Sequence, residues 1–139
     1  MTFKQVPLAN IANIVTGKTP PISDTRNFGG AIPFITPAEL DKNKNIVKSP
    51  RTLSAIGASK VTIVPQGSTL VCCIGSLGKV GYAAKDLATN QQINSLVFDQ
   101  TKVHPRYGFW AAKRLKPDLI RIAPSTTVPI VSKTLFGKL

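Results

Sequence analysis

Apolar positions come in short runs, and the pattern changes roughly every 8 to 12 residues, which predicts many short elements. "VPLANIANIV" sets Leu8, Ile11 and Ile14/Val15 at near-helical spacing, so it reads as a short helix or as a turn entering a strand. Gly17, Pro20 and Pro21 end it in a loop. A short strand is expected over Ile32–Ile35, followed by an N-cap signature: Thr36, Pro37 at the first helical position and Glu39 at the third. "DKNKNIVKSPR" is a polar, basic loop, and "TLSAIGAS" a single turn ending at Gly57. Val61, Ile63 and Val64 alternate as a strand, Val64–Gly67 fits a type I turn, and Thr69–Ile74 is apolar enough for a strand buried on both faces. "GSLGK" is a tight connection to a strand over Val80–Ala84, and "SLVFD" forms another. Tyr107, Trp110/Ala111 and Arg114/Leu115 predict a helix from Pro105 to Leu115, halted or kinked by Pro117 and with Trp110 in the core. The C-terminal stretch reads as loop plus a short strand or turn. The expected fold is mixed α/β (α+β): one compact domain over residues 1–139, a twisted mixed sheet of short strands with a few short helices.

Composition adds a functional direction. The 139 residues carry 18 Lys and Arg against six Asp and Glu, a net charge of +12 spread from Lys4 to Lys138. A folded domain with such a surface is expected to bind a polyanion. No apolar run reaches membrane-spanning length and no signal peptide is visible at the N-terminus, so a cytoplasmic protein is expected. Cys72 and Cys73 are adjacent in an apolar run and read as reduced thiols in a strand, at least one of them in the core; with a single His104 they cannot complete a zinc site.

Catalytic chemistries find little support. "GSLGK" departs from a phosphate-binding P-loop, which needs Gly where Cys73 stands and Ser or Thr where Val80 stands. Glu39 is the only Glu, and the acids are too scattered for metal-dependent cleavage or paired acid/base work. His104, beside Pro105, reads as a surface residue at a helix start, and the Ser and Cys residues lack any other base. No cofactor loop of a methyltransferase follows the first strand. A non-catalytic binder is expected, with neither cofactor nor metal.

Several short motifs occur in a fixed order: Gly17-Lys18-Thr19-Pro20, Ile32-Pro33-Phe34-Ile35-Thr36-Pro37, Val64-Pro65-Gln66-Gly67-Ser68, Ile74-Gly75-Ser76-Leu77-Gly78-Lys79 and Ala88-Thr89-Asn90-Gln91-Gln92-Ile93-Asn94. Thr126-Thr127-Val128-Pro129 and Ile130-Val131-Ser132-Lys133 close the series. In this order the chain strongly resembles a target-recognition domain of type I restriction-modification specificity subunits. The resemblance implies a domain that reads one half of a split duplex DNA target. Catalysis then belongs to methyltransferase and restriction subunits, and long spacer helices link two such domains. No spacer helix is present in this chain, so the expected partners are double-stranded DNA together with those subunits or a second specificity half. The alternative is a solitary or truncated interaction module that binds methyltransferase or specificity subunits and modulates them. A translation-type RNA binder fits the charge but not the ordered motifs.

If duplex DNA is the partner, phosphate contacts position the domain and base contacts specify the site. Lys18, Arg26, Lys42, Lys44, Lys48, Arg51, Lys79 and Lys133 are the cationic phosphate candidates, with the hydroxyls of Thr19 and Ser76 on Gly-containing turns. Base readers are expected in the less family-like loops Ile22–Phe28 and Asp41–Arg51, where Arg26, Asn27, Asn43 and Asn45 have suitable chemistry. The amide-rich "ATNQQINSL" invites a base-reading role. The resemblance argues against it, because related domains share the stretch while reading different targets. Asn90, Gln91 and Asn94 are therefore expected to hold loop architecture, with Gln91 or Gln92 adding a phosphate contact.

Overall fold

The computed structural model describes residues 5–42, 45–124 and 127–139, so Asn43, Lys44 and Thr126 lie outside the described residues. A 3-10 turn at Leu8–Asn10 runs into strand β1 (Ala12–Thr16). Strands β2 (Phe28–Ile35), β3 (Asn45–Ile46), β4 (Thr52–Leu53), β5 (Thr69–Cys72), β6 (Val80–Ala83), β7 (Ala88–Thr89) and β8 (Ile93–Phe98) follow. Helix α1 (Ala55–Ala58) sits between β4 and β5; α2 (Pro105–Ala112), α3 (Lys116–Ile122) and α4 (Lys133–Phe136) come after β8.

Among the described residues the strands form two sheets in place of the single one expected. The larger has the order β1-β8-β5-β6-β3, antiparallel except for the parallel β3–β6 edge. The smaller has the order β4-β2-β7, with β2 antiparallel to β4 and parallel to β7. Strand β5 has every residue buried, as its unbroken apolar run predicts, because both faces are covered. Val71 and the neighbouring Cys73 pack toward Ala112 of α2, Leu119 of α3 and Phe136 of α4. Leu70 and Cys72 pack the other way, against Ile35, Leu40, Ile46 and Leu87. A third cluster, Phe34, Leu53 and Ala88, closes the small sheet. The layers are thus helices, large sheet and small sheet. Each fully buried Leu, Ile or Phe contributes about 1.5–3 kcal/mol to holding them.

Several local expectations shift. Val61–Val64 forms no strand, only an isolated bridge from Val64 to Leu87. The turn beyond it closes one residue late: Ser68 N–H donates to Pro65 O at 3.2 Å, and Gly67 takes φ +95°, as the third position of a type II turn requires. Pro117 stands in the first turn of α3 and opens that helix rather than ending α2, since Pro lacks only an N–H left unpaired there anyway. The C-terminal stretch closes with α4, capped by Ser132, whose hydroxyl accepts from Leu135 N–H. Gly57 lies within α1 and does not end it: a Cβ there would meet Asn27 O at 2.0 Å, so only Gly lets α1 approach that backbone. Among the described residues no helix is long and apolar enough to cross a membrane.

Candidate nucleic-acid interface

Antiparallel pairing gathers several of the motif turns, although Val64–Ser68 leads into β5 from its other end. β1 ends where β8 begins, with Thr16 opposite Asn94, and β5 ends beside the same point, with Cys72 opposite Ile93. The Gly17-Lys18-Thr19 turn, the Asn90–Gln92 turn and the Ile74–Lys79 connection therefore share one end of the large sheet. Parallel pairing of Ile35 with Thr89 brings the end of β2, and with it Thr36-Pro37, to the same place. Hydrogen bonds tie the turns together. Gly17 N–H donates to Ile93 O and Lys18 N–H to Thr89 O, each at 3.0 Å, and Asn90 N–H donates to Ile35 O at 2.9 Å. Thr19 Oγ1 donates to Gln91 Oε1 at 2.7 Å, Gln92 Nε2 to Ile74 O at 3.3 Å and Lys79 Nζ to Pro37 O at 3.2 Å. The Thr36 turn is held by Glu39, whose Oε1 accepts from Thr36 N–H at 2.9 Å.

Within the amide stretch most polar capacity is spent internally. Asn90 accepts from Gln92 N–H at 3.1 Å through Oδ1 and donates through Nδ2 to Gln92 Oε1 at 3.0 Å. Asn94 is buried and accepts from the Thr16 hydroxyl at 2.6 Å. Gln92 is half-buried, whereas Gln91 is exposed. On the same end Lys18 and Ser76 are exposed and Lys79 is half-buried. Gly75 (φ +80°) and Gly78 (φ +86°) shape the connection, and Lys116 of α3 packs over Gly78 at a distance no Cβ would permit. Ser76, Lys79 and Lys116 line one open cleft of about 720 Å³ with Asp41 and Pro129.

The two loops expected to read bases are built differently from each other. In the first, Asn27 is fully buried: its Nδ2 donates to Pro21 O at 2.9 Å and its Oδ1 accepts from Lys60 Nζ at 2.8 Å. This corrects the expectation for Asn27, because an amide sealed under α1 and satisfied on both ends cannot reach a base. Arg26 is exposed but forms a fork with Asp24, Nε and Nη2 donating at 3.0 and 2.9 Å. Those hydrogen bonds, with that from Arg26 N–H, hold the Asp24 carboxyl down at about 2. In the second loop Lys42, Asn45, Lys48 and Arg51 are exposed. Lys42, Asn45 and Lys48 border a groove of about 500 Å³ with Val47 and Pro50, and the Arg51 guanidinium lies 5.2 Å from the Phe28 ring centre. Lys133 is not brought to these turns; with Lys138 it lines a separate cleft along the first half of β1.

Three features escaped the sequence. Lys60 completes the Asn27–Asp24 cluster, with Nζ 3.8 Å from Asp24 Oδ2. Arg106 Nη1 donates to Asn45 Oδ1 at 2.9 Å, with its guanidinium 3.8 Å over the Tyr82 ring; a cation in the first turn of a helix was the available signal. Trp110, expected in the core, is 62 % exposed, because α2 turns Gly108 and Ala112 inward and Tyr107 and Trp110 outward. Each of the six carboxylates accepts an internal hydrogen bond: Asp24, Glu39, Asp41, Asp86, Asp99 and Asp118. Burial pushes the Cys73 thiol up to about 11 and raises that of Cys72.

Residues 1–139 match the family described as the Type I restriction modification DNA specificity domain. A stretch of 94 residues is 34 % identical to the HindI specificity subunit of Haemophilus influenzae, covering 66 % of this chain and 20 % of that protein. A second relative, the MjaIX specificity subunit of Methanocaldococcus jannaschii, is 29 % identical over 94 residues, covering 65 % of the chain and 22 % of the relative. The chain thus spans about a fifth of the length of these curated relatives. Among solved structures, the HsdS subunit of Thermoanaerobacter tengcongensis aligns over 96 % of the chain and 31 % of its own, with a TM-score of 0.74 at 15 % identity. The S subunit from M. genitalium aligns over 100 % of the chain and 33 % of its own, with a TM-score of 0.68 at 14 % identity. At these identities the likeness is one of fold.

Proposed function

The chain belongs to the type I restriction modification DNA specificity domain family, and from that membership we propose that residues 1–139 act as one target-recognition domain that binds duplex DNA and reads one half-site. The observation that supports this most is the convergence of four motif segments, at Gly17–Thr19, Thr36–Pro37, Ile74–Lys79 and Asn90–Gln92, at one sheet end that carries the cationic and hydroxyl groups of Lys18, Ser76 and Lys79. Lys18, Thr19, Ser76, Lys79 and Gln91 position the domain on phosphates. Lys42, Lys48 and Arg51 extend that contact, and the Asp41–Arg51 loop reads bases. The domain itself is non-catalytic. Methylation and cleavage fall to methyltransferase and restriction subunits, a second specificity half supplies the other half-site, and the cytoplasm is the place of action.

The test is a random-duplex selection, run with and without candidate partner subunits, followed by a salt titration. Neutralising about four to six phosphates gives a log–log salt slope near −4 to −5. A flat salt dependence, or no enriched duplex in either arm, overturns the reading. A second reading draws on α2, where Tyr107 is 71 % and Trp110 62 % exposed, the kind of aromatic surface enriched at protein interfaces. On it the domain binds methyltransferase or specificity subunits and modulates them. Co-purification with such a subunit, without duplex binding by the chain alone, favours that reading.

A further inference from the structure

We infer that Arg106 is a positioning residue that fixes which end of the Asn45 amide faces solvent, so that Asn45 recognises a hydrogen-bond acceptor on a base edge rather than pairing with adenine through both ends. The inference rests on the reading of this chain as a DNA-recognition domain.

The geometry is over-determined. Asn45 lies on β3, a two-residue strand at the edge of the large sheet, with Tyr82 of β6 as its register partner. The Arg106 guanidinium lies 3.8 Å over the Tyr82 ring, and its Nη1 donates to Asn45 Oδ1 at 2.9 Å. Phe109 adds an edge-on contact to the same ring at 5.8 Å. His104 Nδ1 caps the turn by accepting from Arg106 N–H at 3.2 Å. A cation in the first turn of a helix faces the positive end of the backbone dipole, so its position is unfavourable unless other contacts offset that term. The stack on Tyr82 and the bond to Asn45 are such contacts.

The consequence follows from donor and acceptor inventory. Guanidinium carries only donors, so the amide oxygen must be the end that faces Arg106, and the Nδ2 amino group faces away. Reading adenine bidentately needs both ends of one amide, the oxygen accepting from the base amino group. Here one lone pair of that oxygen already serves a cation, and a base amino group approaching the other would stand beside the guanidinium, donor against donor, so pairing through the oxygen is disfavoured. The exposed Asn45 Nδ2 is left to donate. Its partners are base acceptors, guanine N7 and O6 foremost, since the nearby positive charge favours the most electronegative edge of the major groove.

The test compares the wild-type chain with Asn45→Asp and Arg106→Gln in random-duplex selection, together with thermal midpoints and affinity for an unselected duplex. Wild type should enrich an acceptor-bearing base, guanine first, at one position. Asn45→Asp keeps the oxygen facing Arg106 but removes the donor. Its thermal midpoint should hold, roughly tenfold discrimination at that one position should vanish, and cytosine, which donates from N4, should rise there. Arg106→Gln should relax the same position and leave the others intact. Asn45 is exposed on an edge strand, so its variant does not depend on whether Arg106→Gln folds well. An unchanged selected sequence in Asn45→Asp, or adenine as the wild-type preference lost in that variant, overturns the inference while leaving duplex recognition standing. A wild-type chain that binds duplex but enriches no sequence, or binds none, overturns both.

Discussion

Gly17→Ala is the sharpest perturbation of the proposed interface. An added Cβ would stand 2.0 Å from Asn90 O, 2.1 Å from Thr89 Oγ1 and 2.6 Å from Thr89 O. Two of these three are backbone atoms in the turn that leads into β8, so no side-chain rotation relieves the clash. The chain must move the Gly17 turn away from the Asn90 turn, which strains the bonds Gly17 N–H to Ile93 O and Lys18 N–H to Thr89 O. Overpacking costs about 1–3 kcal/mol, and the two strained but unbroken hydrogen bonds together cost about as much as one lost bond, about 0.5–1.5 kcal/mol, so a total of roughly 2–4 kcal/mol is expected. For a domain of this size that lowers the thermal midpoint by about 6–12 °C. The displaced turn carries Lys18 and breaks the Thr19–Gln91 bond, so duplex affinity should fall as well. Lys18→Ala is the control: it touches no packed surface, so it should leave the midpoint unchanged, weaken binding to every duplex alike and reduce the salt slope by about one. Melting followed by scanning calorimetry and binding by fluorescence anisotropy give the readings. A Gly17→Ala chain that melts within about 2 °C of wild type would refute the claim that these turns are locked together.

Other perturbations separate scaffold from contact and test one ion pair. Asn90→Ala removes both the acceptor for Gln92 N–H and the donor to Gln92 Oε1, so it should cost about 1–3 kcal/mol in chemical denaturation. Gln91→Ala, at an exposed side chain, should change stability by less than about 0.5 kcal/mol but weaken duplex binding; equal loss of stability in both variants would put Gln91 in the scaffold too. Asp24, held down at about 2 by Arg26, contributes stability that is present above the ordinary carboxyl value of about 3.9 and lost as pH falls through about 2. The midpoint gap between wild type and Asp24→Asn should therefore narrow on acidification across that window; parallel curves would show that the pair does not couple to folding.

Legibility in the sequence tracked how local the cause was. The Thr36–Glu39 cap, the proline loop after Gly17 and the fully buried β5 follow from residue types within a few positions, and each is present. The orientation of α2 is not local. Helical spacing of Tyr107, Trp110 and Arg114 marks a face but not which face is buried. Gly108 settles that, because its backbone sits so close to the Phe98 ring that a Cβ would lie 2.4 Å from it. A helix packed through Gly and Ala presents its large side chains to solvent, the reverse of the usual amphipathic reading. Asn27 failed for a similar reason: its burial depends on α1 approaching across Gly57, a contact between segments 30 residues apart.

The same distinction sorts the candidate site. A side chain whose donors and acceptors are spent inside the fold is costly to exchange, since each lost bond leaves a buried group unsatisfied. Asn27, Asn90 and Asn94 are in that state, so target choice cannot drift through them without loss of stability. The Asp41–Arg51 loop has the opposite character. Its strand β3 is two residues long and at a sheet edge, and Lys42, Asn45, Lys48 and Arg51 are exposed. Exchange of those exposed side chains leaves buried Ile46 and the backbone ties of Asp41 and Ile46 in place, and the bond from Arg106 gives the Asn45 amide one orientation. On the proposed function, a domain that keeps its motif turns locked and exchanges only the exposed side chains of this loop changes target while preserving its fold. On the same proposal the amide stretch, which looks most like a reader, is part of what stays fixed while reading changes elsewhere.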